Sequence, residues 1–304
     1  MAKRRNIVKP HPDAIEALKE LARPGPHIAH GFKPKKSLNL AWKGGRTLQR
    51  MQFRNYYLGK WSKTDMTNID SALTGALTDA NLNHVLQQYF HDQPVTTAAL
   101  ESVHRADASL TNGVTFDRDS VHRTVAALPL DGIDLQNTII CLYLPPGVVL
   151  DTHATDGVGK DKGKKRGVGD DKDSSLEGLG GYHGSTHVGA RTIYFAVAVY
   201  SQIVGHAING IPFWPDPWKN VVATMYHELN EVRTDPDVEE SMRTGNDKLL
   251  GWYSDAGGEI GDIPMTEAGP HLGLVMVEVP LLAGGSAPIQ LLWSNAVGGP
   301  CGPF

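Results

Sequence analysis

The sequence has few cysteines and no long apolar run, and both scarcities limit what the protein can be. Only two of its 304 residues are cysteine, Cys141 and Cys301, so neither a disulfide framework nor a zinc site made of thiolates is expected. The longest apolar run, residues 193–200, is far too short to cross a bilayer as a helix, which needs roughly 20 residues. Hydrophobic residues still make up 40% of the chain, enough for a substantial core. The sequence therefore predicts a soluble globular protein with no membrane partner.

Positive charge is concentrated at the start of the chain. The first 60 residues hold 14 of the 29 Lys and Arg residues but only 3 of the 33 Asp and Glu residues, so a basic front precedes an acidic body. This front could bind a polyanion, or it could pack on the acidic body of the same chain. Its basic start is followed by Pro10, Pro12 and Asp13, where a signal peptide needs an apolar stretch. No signal peptide is therefore expected in this sequence.

The pattern of elements favours an α+β fold. Periodicity and turn residues predict helices at 65–77, 78–90 and 119–128, and strands at 55–61, 137–144, 192–200, 271–282 and 288–293. These elements show no regular βαβ alternation, and strands precede and follow a central helix. We expect a basic arm at residues 1–50 and a single domain at residues 51–304. Residues 151–177 are rich in Lys, Asp and Gly and have almost nothing to bury, which predicts a mobile surface loop.

The central helix is predicted between Asp216 and Pro236. Asp216-Pro217 is a good helix start, because Asp can cap free amides and Pro is tolerated in the first turn, and Pro236 then ends the helix. His227 and Glu231 are four residues apart, so their side chains lie one above the other and can reach a single ion. The opposite side of the helix carries an apolar stripe, formed by Trp218, Val221, Val222, Met225, Leu229 and Val232.

The sequence His227-Glu228-x-x-Glu231 has the layout of an H-E-x-x-H metallopeptidase helix, with Glu in place of the second His. Zn²⁺ accepts imidazole and carboxylate ligands, and a catalytic zinc site uses three protein ligands plus water. The third ligand could come from the glycine-rich acidic stretch downstream, where Asp262 and Glu259 are the first candidates. Glu228 would then act as the general base. The competing interpretation is that His227 and Glu231 are a solvated pair on a surface helix.

A second group of candidates lies in the glycine-rich stretch at residues 178–187. Its clustered glycines would let the backbone approach another group closely. His183 and His187 are alternative metal ligands, and Tyr182 and His183 are candidate substrate contacts. A histidine in a loop is, however, more often a hydrogen-bonded surface residue.

Several motifs resemble those of the Exordium, or phosphate-induced protein, family and its bacterial relatives. They occur in the family's order across residues 55–295: Asn55-Tyr56-Tyr57-Leu58-Gly59-Lys60-Trp61, Gly181-Tyr182-His183-Gly184, His227-Glu228-x-x-Glu231-x-x-Thr234-Asp235-Pro236, Gly258-Glu259-Ile260-Gly261-Asp262 and Trp293-Ser294-Asn295. The resemblance implies a zincin-like fold, with a mixed β-sheet packed against helices that include a central metal-site helix. Plant members are extracellular and are associated with growth. They also carry more cysteine than this chain does.

Two classes of function follow. In the first, the protein is a metal-dependent hydrolase, a zinc peptidase acting on a peptide or protein, in which His227, Glu231 and Asp262 hold Zn²⁺. In the second, it is a non-catalytic module that binds glycan or protein and holds Ca²⁺ or another divalent ion structurally. Many carboxylates could supply the oxygen ligands that Ca²⁺ prefers, namely Asp235, Asp237, Glu239, Glu240, Asp255, Glu259 and Asp262.

Nucleic acid is not an expected partner, despite the basic front. We expect the full chain to bind DNA or RNA only weakly at physiological salt, because its positive charges lie in irregular sequence without interleaved aromatics or a recognised motif. Fluorescence anisotropy with labelled duplex DNA and single-stranded RNA, measured at two salt concentrations, checks this. Submicromolar affinity that persists at physiological salt would contradict the prediction.

Overall fold

The computed structural model describes residues 27–152 and 173–302. Most of the loop predicted at 151–177, and residues 1–26 of the predicted arm, lie outside the described residues. Within the two ranges the helices are α1 (Lys63–Thr78), α2 (Ala80–Gln87), α3 (Arg118–Ala126), α4 (Pro217–Thr234), α5 (Val238–Thr244) and α6 (Asp262–Ala268). The strands are β1 (Ala41–Trp42), β2 (Arg50–Leu58), β3 (Thr96–Ala99), β4 (Val103–Arg105), β5 (Thr115–Asp117), β6 (Thr138–Tyr143), β7 (Val149–Asp151), β8 (Gly181–Val188), β9 (Arg191–Ala198), β10 (Gln202–Val204), β11 (Ala207–Asn209), β12 (Trp252–Tyr253), β13 (Met276–Pro280), β14 (Ser286–Gln290), β15 (Leu292–Ser294) and β16 (Gly299–Cys301).

The largest sheet has the strand order β3-β2-β6-β9-β8, with β4 also beside β2. Strands β2, β6 and β9 are parallel, and β8 runs antiparallel to β9 at one edge. The expected mixture of helices with a mixed sheet is confirmed. The sequence did not indicate that its centre would be parallel, because the crossover from β2 to β3 contains two consecutive α-helices and no α-helix is described between β6 and β9. Regular βαβ alternation is therefore absent from the sequence pattern even though parallel pairs form.

Helices cover both faces of this sheet. Successive residues of a strand point to opposite faces, and neighbouring tyrosines of β2 show the division. Tyr57 packs in the larger core with α1, α2 and α4, where its ring stacks on that of Tyr143 at 4.7 Å. Tyr56 packs in the second core with α3. Burial of both faces explains why β6 is buried along its whole length.

Helix α4 is almost entirely buried, including most of its polar side. The predicted apolar stripe is confirmed, since Val222, Met225 and Leu229 are completely buried. The interpretation of the opposite face as solvated is wrong, because Glu228 and Glu231 are only 5% and 2% exposed. They are covered because α4 packs against β8 and β9 on one side and against β14 on another.

The start of α4 differs from the expectation. The Asp216 side chain makes no capping hydrogen bond. Buried Asn220 closes the turn before the helix instead: its Oδ1 accepts from the amides of Phe213 and Trp214 at 3.0 and 2.7 Å. Its Nδ2 donates to the carbonyls of Trp214 and Ser201. The helix does end as expected, at Thr234, just before Pro236.

Residues 27–50 belong to the domain rather than to a separate basic arm. Ile28 pairs with Cys301 of the final strand, and β1 pairs with β12. The basic side chains of this segment reach acidic partners, since Lys43 contacts Asp255 at 2.7 Å and Lys35 contacts Glu267. Residues 27–50 of the basic front therefore pack on the acidic body of the same chain, which was one of the two possibilities.

The predicted loop also ends earlier than expected. Ser175 is completely buried, its Oγ accepts from the amide of Leu150, and it donates to Oδ1 of Asn209 at 2.6 Å. A polar residue can be buried when all its hydrogen bonds are made, so composition alone misplaced this boundary. Among the described residues, both cysteines are free and buried. None of the described helices combines the length and apolar character needed to span a membrane.

We expect Asn220→Ala to destabilise the protein much more than Asp216→Ala, which serves as the matched control. Loss of Asn220 removes the partner of the buried Ser201 carbonyl and of part-buried backbone groups at residues 213 and 214. A buried group left unpaired costs about 1–3 kcal/mol, so the free energy of unfolding should fall by about 2–4 kcal/mol. Asp216→Ala should change it by less than about 0.5 kcal/mol. Urea unfolding followed by circular dichroism measures both. Equal effects of the two substitutions would show that Asp216 does cap the helix.

Candidate metal centre

The chain segment after α5 returns past the polar side of α4 in a tight turn. Ser254 pairs with Gly258, which has a positive φ of 89°. Gly261 then passes so close to α4 that an added Cβ would lie 2.6 Å from Nδ1 of His227 and 2.9 Å from Oε1 of Glu231. Only glycine fits at this position. The expected return of the acidic stretch past the helix is confirmed.

This return brings together the three residues that the sequence selected as ligands. His227 Nε2 lies 3.0 Å from Glu231 Oε2 and 3.6 Å from Asp262 Oδ1. The backbone holds the carboxylate of Glu231, whose Oε1 accepts from the amides of Gly261 and Asp262 at 3.0 and 3.1 Å. His227, Glu231 and Asp262 each offer one ligand atom, and the three atoms lie within 4.8 Å of one another. We call them the outer set.

A glutamine orients the imidazole of His227. Oε1 of Gln290 lies 2.8 Å from Nδ1 of His227, while Nε2 of Gln290 donates to the carbonyl of Gly261 at 2.6 Å. Because the amide nitrogen is used by Gly261, the amide oxygen faces His227 and Nδ1 must carry the hydrogen. In the neutral ring that binds a metal, the lone pair on Nε2 then faces the carboxylates. This is the usual second-shell arrangement of a metal-binding histidine.

His183, on β8, extends the cluster inwards. Its Nδ1 donates to Glu228 Oε2 at 3.2 Å and lies 3.7 Å from Glu231 Oε2. Its Nε2 lies 3.5 Å from Glu259 Oε1. His183, Glu231 and Glu259 again offer ligand atoms within 4.8 Å of one another. We call them the inner set. The two sets share Glu231.

The two sets differ in access to solvent. The side chains of His227 and Asp262 are 12% and 17% exposed, whereas those of His183 and Glu231 are each 3% exposed. Solvent therefore reaches the outer set from the surface. The inner set is enclosed by the protein.

Burial and mutual charge shift the pKa values of Glu259, His227 and Glu231. Burial and the charges of Glu231 and Asp235 raise the pKa of Glu259 well above its usual value. Burial alone would lower the pKa of His227, but the charge and hydrogen bond of Glu231 raise it well above its usual value. Burial alone would raise the pKa of Glu231, but the charge and hydrogen bond of His227 lower it. Without a cation, protons therefore compensate part of the negative charge.

Asp235, the residue after α4, is a further member of the cluster. It is completely buried, and its Oδ1 accepts from the amide of Gly251 at 2.8 Å. Its Oδ2 has no hydrogen-bond partner among the described residues. Burial raises the pKa of Asp235 to about 7, against the opposing effects of the Gly251 amide and of His183.

The remaining candidates lie apart from the outer set. Tyr182 faces the opposite side of β8 from His183 and packs against Phe195 in the second core, so the structure does not bring these two candidate substrate contacts together. His187 is at the exposed end of β8, 3.7 Å from Glu240. Gln290 was not among the predicted site residues, because a single glutamine in a mostly buried strand carries no signal of its partner.

Comparison of the chain with models of known families, with curated proteins and with solved structures found no match. The motifs in residues 55–295 are therefore the whole basis of the resemblance to the Exordium family. The geometry of the cluster is therefore the only basis for assigning its chemistry.

The raised pKa values predict how the stability of the metal-free protein depends on pH. Asp235 and Glu259 keep their protons to higher pH when folded than when unfolded, where carboxyl groups titrate near pH ~4. The folded state then binds more protons, so stability falls as pH rises above that value. His183, whose pKa is also raised by Glu228 and Glu231 against the effect of burial, and His227 act in the same direction above pH ~6.5.

We therefore expect the free energy of unfolding of chelator-treated protein to decrease between pH ~5 and ~8, and Asp235→Asn to make this decrease smaller. Urea unfolding at a series of pH values is the measurement. Glu278→Gln is the control, since hydrogen bonds from Lys219 and Ser286 lower the pKa of surface Glu278 and its contribution is constant in this range. A metal-free protein that gains stability over the same interval would refute the expectation.

Proposed function

We propose that the protein is a divalent-metal-dependent hydrolase, with Zn²⁺ as the ion and a peptide or protein as the substrate. The observation that carries the proposal is the convergence of His227 Nε2, Glu231 Oε2 and Asp262 Oδ1. One imidazole and two carboxylates are a ligand set that Zn²⁺ accepts, and three protein ligands leave a coordination position open.

The surroundings of these ligands support the same proposal. Gln290 directs the lone pair of His227 Nε2 towards the carboxylates, as in second shells of metal sites. The amides of Gly261 and Asp262 use one oxygen of Glu231 and leave the other facing His227. The partial exposure of His227 and Asp262 leaves the outer set in contact with solvent, which a catalytic site needs. A zinc ion bound here would supply Lewis acidity, polarising a substrate carbonyl and making a water molecule easier to deprotonate.

Glu228 is the residue to which we assign proton transfer. It follows His227 on α4, and its Oε2 is held by Nδ1 of His183 at 3.2 Å. A carboxylate fixed in this way can accept a proton from the attacking water and return it to the leaving amine. His183 thus acts as a positioning residue for Glu228 rather than as a substrate contact.

The zincin-like fold and the relationship to the Exordium family are part of the proposal. They are supported by the position of α4 against the sheet, by the antiparallel edge strand β8 beside it, and by the contribution of residues 258–262 to the cluster. The ligand set carries two negative charges, so an ion held by it would be less electrophilic than one held by two histidines. We expect slow turnover or the use of another divalent ion.

The burial of the cluster favours a second candidate, a structural ion in a non-catalytic module. Glu231 and Glu259 are 2% and 7% exposed, and an ion enclosed by such residues would stabilise the fold without meeting a substrate. Several acidic residues considered for Ca²⁺ lie elsewhere, however. Asp237 contacts Tyr194, Glu239 contacts Arg118 and Asp255 contacts Lys43.

Substitutions of the two glutamates on α4 separate these functions. Glu231→Ala should remove the metal and lower the melting temperature through lost binding energy. Glu228→Gln should keep the metal and the fold but lower any hydrolytic rate at least about 100-fold, because the amide cannot accept a proton. The measurements are metal content by mass spectrometry, thermal unfolding, and cleavage of a peptide library.

Glu278→Gln serves as the control and should match the wild type in all three measurements. Full activity of Glu228→Gln would exclude it as the base. If metal removal lowers the melting temperature but no peptide is cleaved by the wild type, the structural-ion candidate replaces the hydrolase. Wild-type metal content in Glu231→Ala would remove the basis of both.

A further inference from the structure

The inner set contains an oxygen atom that the rest of the described structure leaves unused. Oε1 of Glu259 is buried and has no hydrogen-bond partner among the described residues, although the side chain is only 9% exposed. It points towards His183 Nε2, at 3.5 Å. Asp235 is completely buried, and its Oδ2 also has no hydrogen-bond partner within the described chain. Buried carboxylate oxygens without partners are costly, and a cation would satisfy them.

The imidazole of His183 is arranged like that of His227. In each ring Nδ1 is engaged by a side-chain acceptor, Glu228 Oε2 for His183 and Gln290 Oε1 for His227. In each ring Nε2 faces a carboxylate that belongs to a possible ligand set, and Nε2 of His183 also lies 3.4 Å from the backbone carbonyl of Asp235. A carboxylate that accepts from Nδ1–H makes a histidine a better metal ligand and fixes its orientation. His183 therefore has the second shell of a ligand, with Glu228 as its orienting group.

The charge of the cluster also exceeds what one divalent ion can compensate. Five carboxyl groups surround the two imidazoles, namely those of Glu228, Glu231, Asp235, Glu259 and Asp262. Histidines that bind a metal are neutral, so with one divalent ion bound three of the five carboxyl groups would have to keep a proton or stay uncompensated, whereas a second divalent ion would leave only one. In the part of the chain that the structure describes, the ion-pair partners of Glu228, Glu231 and Glu259 are histidines, not lysine or arginine. Isolated charges of this kind are expensive to bury.

We propose that the cluster binds two divalent cations, an outer one at His227, Glu231 and Asp262 and an inner one at His183, Glu231 and Glu259, with the carboxylate of Glu231 shared. This rests on the proposed metal-dependent function and extends it. The outer ion is accessible to substrate. The inner ion is enclosed, compensates the charge of Glu259 and, through His183, holds Glu228 in place. In proteins, two ions that share ligands in this way lie about 3.5–4 Å apart.

The test is the metal stoichiometry of the full chain. Chelator-treated protein is reconstituted with Zn²⁺, freed of excess ion by gel filtration, and measured by mass spectrometry of the metal together with protein concentration. We expect two equivalents for the wild type and for Glu278→Gln, one for Glu259→Gln, and one for Asp262→Asn. Circular dichroism verifies that each variant is folded.

A second measurement uses only the wild type, so it does not depend on whether the variants fold. With Mn²⁺ as the probe, two ions that share a carboxylate are magnetically coupled, so the six-line electron paramagnetic resonance spectrum of isolated Mn²⁺ should broaden when the second equivalent is added. A sharp six-line spectrum that saturates at one equivalent would overturn the proposal.

The outcomes also separate this proposal from the proposed function. One Zn²⁺ equivalent that is lost in Asp262→Asn and kept in Glu259→Gln overturns the inner site and leaves the hydrolase proposal standing. One equivalent that is lost in Glu259→Gln and kept in Asp262→Asn overturns the two-ion proposal and the outer site together. Absence of bound Zn²⁺ from the reconstituted wild type overturns both proposals.

Discussion

The carboxylate of Glu231 is the group on which the arrangement of the cluster depends. It is 2% exposed, accepts two backbone hydrogen bonds from residues 261 and 262, and faces both His227 and His183. Burying an ionised carboxylate is costly unless hydrogen bonds and opposite charge compensate it. The tight return of residues 254–262, the glycine at position 261 and the orientation of both histidines each provide part of that compensation. Removal of any one would leave part of the buried charge of Glu231 without compensation.

Placement of this group depends on a helix that is almost entirely buried. Helix α4 is held by the sheet on one face and by β14 on another, and its first turn is joined to the preceding chain through Asn220 rather than by a surface cap. Surface loops would position ligands less precisely than a helix fixed in the core does. The same burial raises the pKa of Asp235 to about 7 and leaves carboxylate oxygens unpartnered. The fold and the unusual electrostatics therefore have one cause.

Local patterns in the sequence were sufficient for α4 and for the outer set. The i, i+4 spacing places His227 beside Glu231 on any helix, and the glycines around Glu259 allow the return that brings Asp262 to them. Burial of the polar face of α4 could not be inferred, because it depends on β8 and β14, which lie far from His227 and Glu231 in the chain. Gln290 was missed for the same reason. Ser175 and residues 27–50 were misjudged because composition reports the cost of burying polar groups but not the partners that offset it.

The replacement of the second histidine of H-E-x-x-H by Glu231 has a physical consequence beyond the charge of one ligand set. A histidine at this position would present a single lone pair, since its other ring nitrogen must carry a hydrogen to bind a metal in the neutral form. A carboxylate has two oxygens with several lone pairs, so Glu231 can accept two amide hydrogen bonds and still face His227 and His183 at 3.0 and 3.7 Å. Only a carboxylate at position 231 can belong to both sets at once. The glutamate at the end of the H-E-x-x-E sequence can therefore face His227 and Asp262 on one side and His183 and Glu259 on the other.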